Sequence, residues 1–111
     1  MGLSTHILDL VTGQPAAGVR VTVSLDGTPK GEAITDEDGR CPALIGEDAL
    51  QAGRYELVFH VGAYLKPRRE SASDALFYDD IPVQFLVSDT GRHYHVPLLL
   101  SPFGYSTYRG S

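Results

Sequence analysis

The chain has 111 residues, of which 42% are hydrophobic and 21% charged, and its formal net charge is −5. These values fit one domain with a modest core, and they exclude a wholly disordered chain and the basic surface of a nucleic-acid-binding protein. No apolar run approaches the roughly 20 residues that span a bilayer, no signal peptide is visible, and the single cysteine, Cys41, excludes an internal disulfide, so we expect a cytoplasmic protein.

The first predicted strand covers residues 3–10, and both of its faces are partly apolar. Ser4 and His6 point to one side, whereas Leu3 and Ile7 point to the other, because side chains alternate along a strand. Such a strand fits a position with the core on one side and a partner subunit on the other.

Three later runs, residues 19–25, 54–61 and 81–87, alternate more cleanly, with an apolar side chain at every second position. Each run predicts a strand with one buried face. The polar stretch 66–80 predicts a loop that carries one helical turn ending near Leu76. Short strands separated by turns at this spacing predict a β-sandwich or a barrel.

The last predicted strand, residues 92–100, has an apolar core row on one face and His93 and His95 on the other. Pro97 donates no ladder hydrogen bond, so it must lie at an edge-facing or bulged position. An outward face that combines two histidines with apolar residues predicts the wall of a binding groove or a subunit contact. We expect the polar end, residues 108–111, to line the same site.

His6, Arg40 and His95 are the candidates for chemistry. Both histidines lie on outward faces, so their imidazoles converge if the first and last strands are neighbours in one sheet. A neutral imidazole takes a proton from water and returns it to a leaving group, and the sequence leaves open which of the two does so. Arg40 follows a tight turn and would orient a carbonyl-rich or anionic substrate or stabilise an oxyanion. The alternative is that each histidine is structural.

The other candidate residues give weaker evidence for a functional site. His93 and His95 share a face and would chelate a metal only with His6 or a ligand from another subunit, so we expect no metal site. We expect the thiol of Cys41 to be buried and inert, and His60 to be incidental. The chain contains no glycine-rich phosphate loop, nucleophile elbow or Cys-x-x-Cys motif.

Three blocks of the sequence resemble one known family. They are Leu3-Ser-Thr-His-Ile-Leu-Asp9 with Gly13-Gln-Pro-Ala16, Thr35-Asp-Glu-Asp-Gly-Arg40, and His95-Val-Pro-Leu-Leu-Leu-Ser-Pro102 followed by Tyr105-Ser-Thr-Tyr-Arg-Gly-Ser111. Over essentially the full chain they resemble the transthyretin-like proteins, and specifically the 5-hydroxyisourate hydrolases of purine catabolism. The terminal Tyr-Arg-Gly-Ser separates these hydrolases from the hormone-binding transthyretins. The stretch 77–82 departs from the family pattern, in a loop that we expect to lie outside the site.

The resemblance implies one transthyretin-like hydrolase domain over residues 1–111, folded as an all-β antiparallel sandwich of two sheets with one short helix. It places the family's catalytic trio on His6, Arg40 and His95. The implied substrate-binding residues are Tyr108, Arg109, Gly110 and Ser111.

The implied reaction is hydrolysis of 5-hydroxyisourate to 2-oxo-4-hydroxy-4-carboxy-5-ureidoimidazoline in urate degradation, without a metal or organic cofactor. The resemblance also implies a homotetramer, a dimer of dimers, with active sites in the channel between the dimers. Two alternatives stay open. One is a transthyretin-type carrier that binds an aromatic small molecule in the same channel, and the other is a structural sandwich domain with an inert groove.

Overall fold

The structure is a computed structural model that describes residues 2–110. Within these residues the chain forms nine β-strands, one short α-helix and two 3₁₀ turns. The strands are β1 (Leu3–Asp9), β2 (Gln14–Pro15), β3 (Arg20–Leu25), β4 (Thr28–Ile34), β5 (Arg40–Ile45), β6 (Gly53–His60), β7 (Asp80–Val87), β8 (Tyr94–Ser101) and β9 (Gly104–Thr107). The helix α1 is Gly62–Leu65, and the 3₁₀ turns are Glu47–Ala49 and Lys66–Arg68.

The strands are arranged in two sheets. One sheet has the order β2-β1-β8-β9, with β5 also paired to β1, and the other has the order β4-β3-β6-β7. The core lies between them and contains the predicted apolar rows. The inward residues of β3, β6 and β7 include Val21, Val23, Tyr55, Leu57, Phe59 and Ile81, all at most 2% exposed. Burying one such side chain contributes about 1.5–3 kcal/mol. The predicted all-β sandwich of two sheets is confirmed.

Strand β1 lies in the middle of the first sheet and turns one row of side chains to the core. The inward row is Leu3, Thr5, Ile7 and Asp9. The buried carboxylate of Asp9 accepts a hydrogen bond from the Tyr64 hydroxyl at 2.7 Å, which compensates for its loss of water. Ser4 and His6 therefore face away from the core, on the outer surface of the sheet.

The two ladders of β1 differ in direction. β1 runs antiparallel to β5 and parallel to β8. The parallel pair is the one departure from the expected antiparallel arrangement among the ladders of residues 2–110. Parallel neighbours need a long connection between them, and here most of the chain separates the two strands.

The predicted helical turn near Leu76 is wrong, and the short helix lies earlier, at Gly62–Leu65. Tyr64 and Leu65 on this helix are buried, so a single turn is stabilised by packing against the core. The stretch after residue 70 forms only a local turn, in which the Asp74 amide donates to the Ser71 carbonyl at 3.0 Å. No helix in the described part of the chain has the length and apolar character needed to cross a membrane.

Candidate active site

A cleft of about 500 Å³ lies on the outer face of the first sheet, where β5, β1 and β8 run side by side. Its lining includes Ser4, His6, Arg40, His93, His95 and Tyr108. A second depression, of about 740 Å³ and lined in part by Asp26 and Arg54, contains no histidine or cysteine. The first cleft is therefore the candidate site.

Strand register brings the predicted trio to this cleft. His6 on β1 and Arg40 on β5 are directly opposite each other, and β8 places His95 opposite Ser4, two residues before His6. Residues opposite each other in a ladder project from the same face of the sheet. The two histidine-bearing strands are thus neighbours, as the convergence of the imidazoles requires.

Both imidazoles have a pKa below the ordinary value of 6.5. For His6 the main cause is burial, followed by repulsion from the Arg40 guanidinium, while a hydrogen bond to the backbone of Asp38 and the nearby carboxylates oppose the lowering of its pKa. For His95 burial again comes first, followed by the charges of Arg40, His6 and His93. Because both pKa values are lowered, both rings are neutral at pH 7, and each is available to accept or donate a proton.

Ser4, which sequence analysis did not place in the site, connects His95 to His93, the histidine that directly precedes β8. The Ser4 hydroxyl lies 2.8 Å from His93 Nε2 and 2.7 Å from His95 Nδ1, and the Gly2 amide donates to His93 Nδ1 at 3.1 Å. The spacing in the sequence could have indicated that these residues share a face with the catalytic candidates, because Ser4 lies two residues before His6 and His93 lies two residues before His95. Only the β1–β8 register shows that these residues meet. Among residues 2–110, no three His, Cys, Asp or Glu side chains are grouped so as to hold a metal ion.

The segment after β9 closes one side of the cleft. Gly110 forms an antiparallel bridge with His95, and its amide donates to the His95 carbonyl at 2.7 Å. A Cβ atom at Gly110 would lie only 2.6 Å from His95 Cδ2, so glycine is what lets the backbone pass over the imidazole. Tyr108 lines the cleft. The Arg109 guanidinium points to the other side and lies over the Tyr94 ring, 4.3 Å from its centroid. Ser111 lies outside the described residues.

The pairing between β8 and the segment after β9 is interrupted at Pro97. The β8–β9 ladder pairs Leu98 with Thr107, and the bridge from His95 to Gly110 keeps the same register. Between these two points the pairing lapses at Pro97, which has no amide hydrogen to donate. The Thr107 hydroxyl instead donates to the Pro97 carbonyl at 2.8 Å. The sequence predicted an edge-facing or bulged position for Pro97; the structure instead keeps the register and shows a break in the pairing at Pro97, where Tyr108 lies opposite.

Three features named in the sequence analysis lie outside the cleft. Cys41 is 3% exposed, and burial together with the charge of Asp36 raises the pKa of its thiol to about 11, so it is inert as expected. His60, on the second sheet, lies 2.9 Å from a carboxylate oxygen of Asp80. No residue of the stretch 77–82 lines the cleft.

Comparisons with known proteins place the chain among relatives of two kinds. Residues 3–110 match the model of the HIUase/Transthyretin family. A 5-hydroxyisourate hydrolase of Deinococcus radiodurans is 50% identical, over 99% of this chain and 96% of that protein. The structure of Klebsiella pneumoniae 5-hydroxyisourate hydrolase is similar with a TM-score of 0.83 and 40% identity, covering 100% of both chains. Sea bream transthyretin in complex with thyroxine gives a TM-score of 0.87 and 33% identity, covering 99% of this chain and 95% of that one. The same fold therefore occurs in an enzyme and in a protein that binds thyroxine.

Proposed function

Since the chain belongs to the HIUase/Transthyretin family, we propose that it hydrolyses 5-hydroxyisourate to 2-oxo-4-hydroxy-4-carboxy-5-ureidoimidazoline, in urate degradation. The curated relatives that are 43–50% identical to it over nearly its full length are named 5-hydroxyisourate hydrolases. The observation that carries the proposal is the cleft itself, where two neutral imidazoles and one guanidinium share a wall.

The proposed roles follow from this chemistry. His6 and His95 orient the attacking water, and one of these neutral imidazoles takes its proton. Arg40 binds the oxygens of the planar substrate and stabilises the charge that develops on the attacked carbonyl. The same proton then passes to the ring nitrogen that leaves, so the reaction consumes one water and opens one cyclic amide.

The end of the chain completes the proposed pocket. Tyr108 and the backbone of Gly110 are available for hydrogen bonds to the substrate, since both line the cleft. The family resemblance supports Arg109 and Ser111 as further substrate-binding residues. The stacking of Arg109 on Tyr94 supports an indirect contribution, in which it anchors the segment that carries its two neighbours.

The alternative is a carrier for an aromatic small molecule, and the similarity to the thyroxine-bound transthyretin favours it. A carrier of this kind needs an apolar channel rather than two imidazoles and a guanidinium. The polar lining of the cleft therefore favours hydrolysis over transport.

We also propose a homotetramer in the cytoplasm. Edge strands have unpaired backbone groups that can pair with a strand of another chain. Here β7 and β9 are edge strands, and they carry the exposed side chains of Leu86 and Tyr105. The loop after β1 exposes Leu10 and Val11 as well. Sedimentation equilibrium tests this proposal, because a tetramer has four times the 12.0 kDa mass of the chain. A monomer at micromolar concentration would contradict it.

The activity is tested by following the ultraviolet absorbance of freshly generated 5-hydroxyisourate. We expect the protein to accelerate its decay, and His6→Ala and His95→Ala to lower turnover by roughly 10²–10⁴. His60→Ala is the matched control, since this histidine lies on the second sheet, and it should retain full activity. If the wild-type protein leaves the decay unchanged but binds an aromatic ligand such as thyroxine, the carrier alternative replaces the enzyme.

A further inference from the structure

The hydrogen bonds around Ser4 favour one direction. A backbone amide only donates, so the Gly2 N–H makes His93 Nδ1 an acceptor without a proton. The proton of neutral His93 is then on Nε2 and is donated to the Ser4 oxygen over 2.8 Å. The Ser4 oxygen has a second lone pair, so it could accept from His95 as well, but then its own proton would have no acceptor within hydrogen-bond distance among residues 2–110. The Ser4 proton is therefore assigned to His95 Nδ1, 2.7 Å away.

The opposite direction is excluded because it would leave His93 without a proton. If the Ser4 hydroxyl donated to His93 Nε2, both nitrogens of His93 would be acceptors and the ring would have to be an imidazolate. A neutral imidazole carries one N–H, and within residues 2–110 no cation lies within hydrogen-bond distance of His93 to stabilise the anion. The chain of donors therefore runs from Gly2 through His93 and Ser4 to His95. It leaves the proton of His95 on Nε2.

His6 is held in a different state. No hydroxyl group of the described residues fixes its proton as Ser4 does for His95; the backbone of Asp38 raises the pKa of the ring, which fits a ring N–H that donates to the carbonyl there. The ring nitrogen that donates carries the proton of the neutral imidazole, and the other nitrogen is bare. Since His95 Nδ1 is engaged by Ser4 and His95 Nε2 carries the proton, the lone pair that can act as the base in the cleft is on His6.

We propose that Ser4 and His93 are positioning residues that keep the proton of neutral His95 on Nε2, so that His95 is a hydrogen-bond donor to the attacked carbonyl and His6 is the base. The inference rests on the proposed function. It assigns two residues that sequence analysis left without a role in the reaction, and it decides between two histidines that sequence spacing left equivalent.

The reaction then balances as follows. The bare nitrogen of His6 takes one proton from water, and the water oxygen forms a bond to the amide carbon. The carbonyl oxygen receives the electron pair and accepts hydrogen bonds from His95 Nε2–H and the Arg40 guanidinium. When the C–N bond breaks, the ring nitrogen takes the proton from His6, and the new carboxylic acid loses its own proton to solvent.

The protonation state is tested without substrate. Long-range ¹H–¹⁵N correlation spectra show which nitrogen of each imidazole carries the proton. We expect one form of His95, with the proton on Nε2, in the wild-type protein and a mixture of both tautomers in Ser4→Ala. A wild-type His95 that carries its proton on Nδ1 would overturn the inference while leaving the proposed function intact.

The catalytic consequence is tested with a matched pair at His93, which is exposed, so that replacement does not disturb the core. His93→Phe keeps a ring but removes the donor, whereas His93→Gln retains an N–H group that reaches the Ser4 oxygen. We expect His93→Phe to lower kcat by about 10- to 100-fold with little change in KM, because a donor to the transition state is misplaced. His93→Gln should recover most of this loss.

Equal activity of the two His93 variants would overturn the inference, because the donor would then be irrelevant to turnover. Thermal unfolding of both variants serves as the control that they share the wild-type fold. A wild-type protein without turnover would reject the proposed function and this inference together. When turnover is present the proposed function stands, and the spectroscopic result then tests the inference alone.

Discussion

The two faces of β1 and β8 show how one pair of strands serves two purposes. Toward the core, the strands present aliphatic side chains and an aromatic ring in close packing, with Ile7 and Leu98 fully buried. Toward the outside, they present Ser4, His6 and His95 around a cleft. The two sets alternate residue by residue along the same backbone.

The difference between the faces lies in what determines the position of a side chain. An inward apolar residue is held by many weak contacts, none of them directional, so its exact neighbour matters less than its volume. An outward residue in the cleft is held by one or two hydrogen bonds, whose direction fixes where a proton lies. We therefore expect substitutions on the inner face to change stability and substitutions on the outer face to change turnover.

After the two histidines themselves, the largest effect is expected at Arg40, on the outer face. Arg40→Ala should lower kcat/KM by about 10²–10³, because a charged donor to the developing oxyanion is lost. The free energy of unfolding should change little, since this side chain is exposed. Arg20→Ala is the control, because Arg20 is also exposed but pairs with Glu32 on the second sheet. Comparable kinetic losses in both variants, measured by the absorbance assay, would contradict the division between the faces.

The converse is expected for Ile7, which is fully buried on the inner face of β1. Ile7→Ala should lower the free energy of unfolding by about 2–5 kcal/mol, because a large cavity replaces packed methyl groups. Ile7→Val should cost only about 0.5–1.5 kcal/mol. Urea unfolding measures both values. An Ile7→Ala protein of wild-type stability but without activity would show that the two faces are not separable.

A smaller loss of turnover is expected when the closing segment is moved. Gly110→Ala puts a Cβ atom 2.6 Å from His95 Cδ2, so the ring or the segment must shift. We expect kcat to fall by about 10-fold, since misplacement of a catalytic group by about 1 Å costs up to 10². Gly46→Ala is the control, because nothing lies within 4 Å of a Cβ atom there and its φ is −67°. Full activity of Gly110→Ala would show that His95 tolerates displacement.

The smallest change is expected in the titration of the imidazoles. Arg40 lowers the pKa of both His6 and His95, so Arg40→Met should raise both pKa values toward 6.5, as measured by NMR titration without substrate. Wild-type activity should fall as the pH drops through the lowered pKa values, because the neutral rings are required. Stability should fall over the same interval, from pH 6.5 downward, since the unfolded chain binds protons that the folded one resists. A pKa of His95 that does not move in Arg40→Met would contradict the coupling.

The sequence by itself divided the residues of each strand between two faces and, for most strands, determined which face is buried. Alternation along a strand is a local property, fixed by the pleat of the backbone, so the apolar rows of β3, β6 and β7 and the outward position of His95 follow from spacing alone. In β1 both faces are partly apolar, and the packing decided that Ser4 and His6 face outward. The missing ladder hydrogen bond at Pro97 was also predictable locally, because it depends on one absent amide hydrogen. The resemblance in the blocks around His6, Arg40 and His95 added the family.

The tertiary structure decided which outward residues meet. Ser4 and His95 are 91 positions apart and touch only because β1 and β8 pair in parallel and in one particular register. No local pattern encodes a register between distant strands, since it is set by the packing of the whole sandwich. The same holds for the path of the backbone at Gly110 over the His95 ring. The sequence thus identified the two imidazoles, and only the fold distinguishes their proposed roles, one as a hydrogen-bond donor and the other as the base.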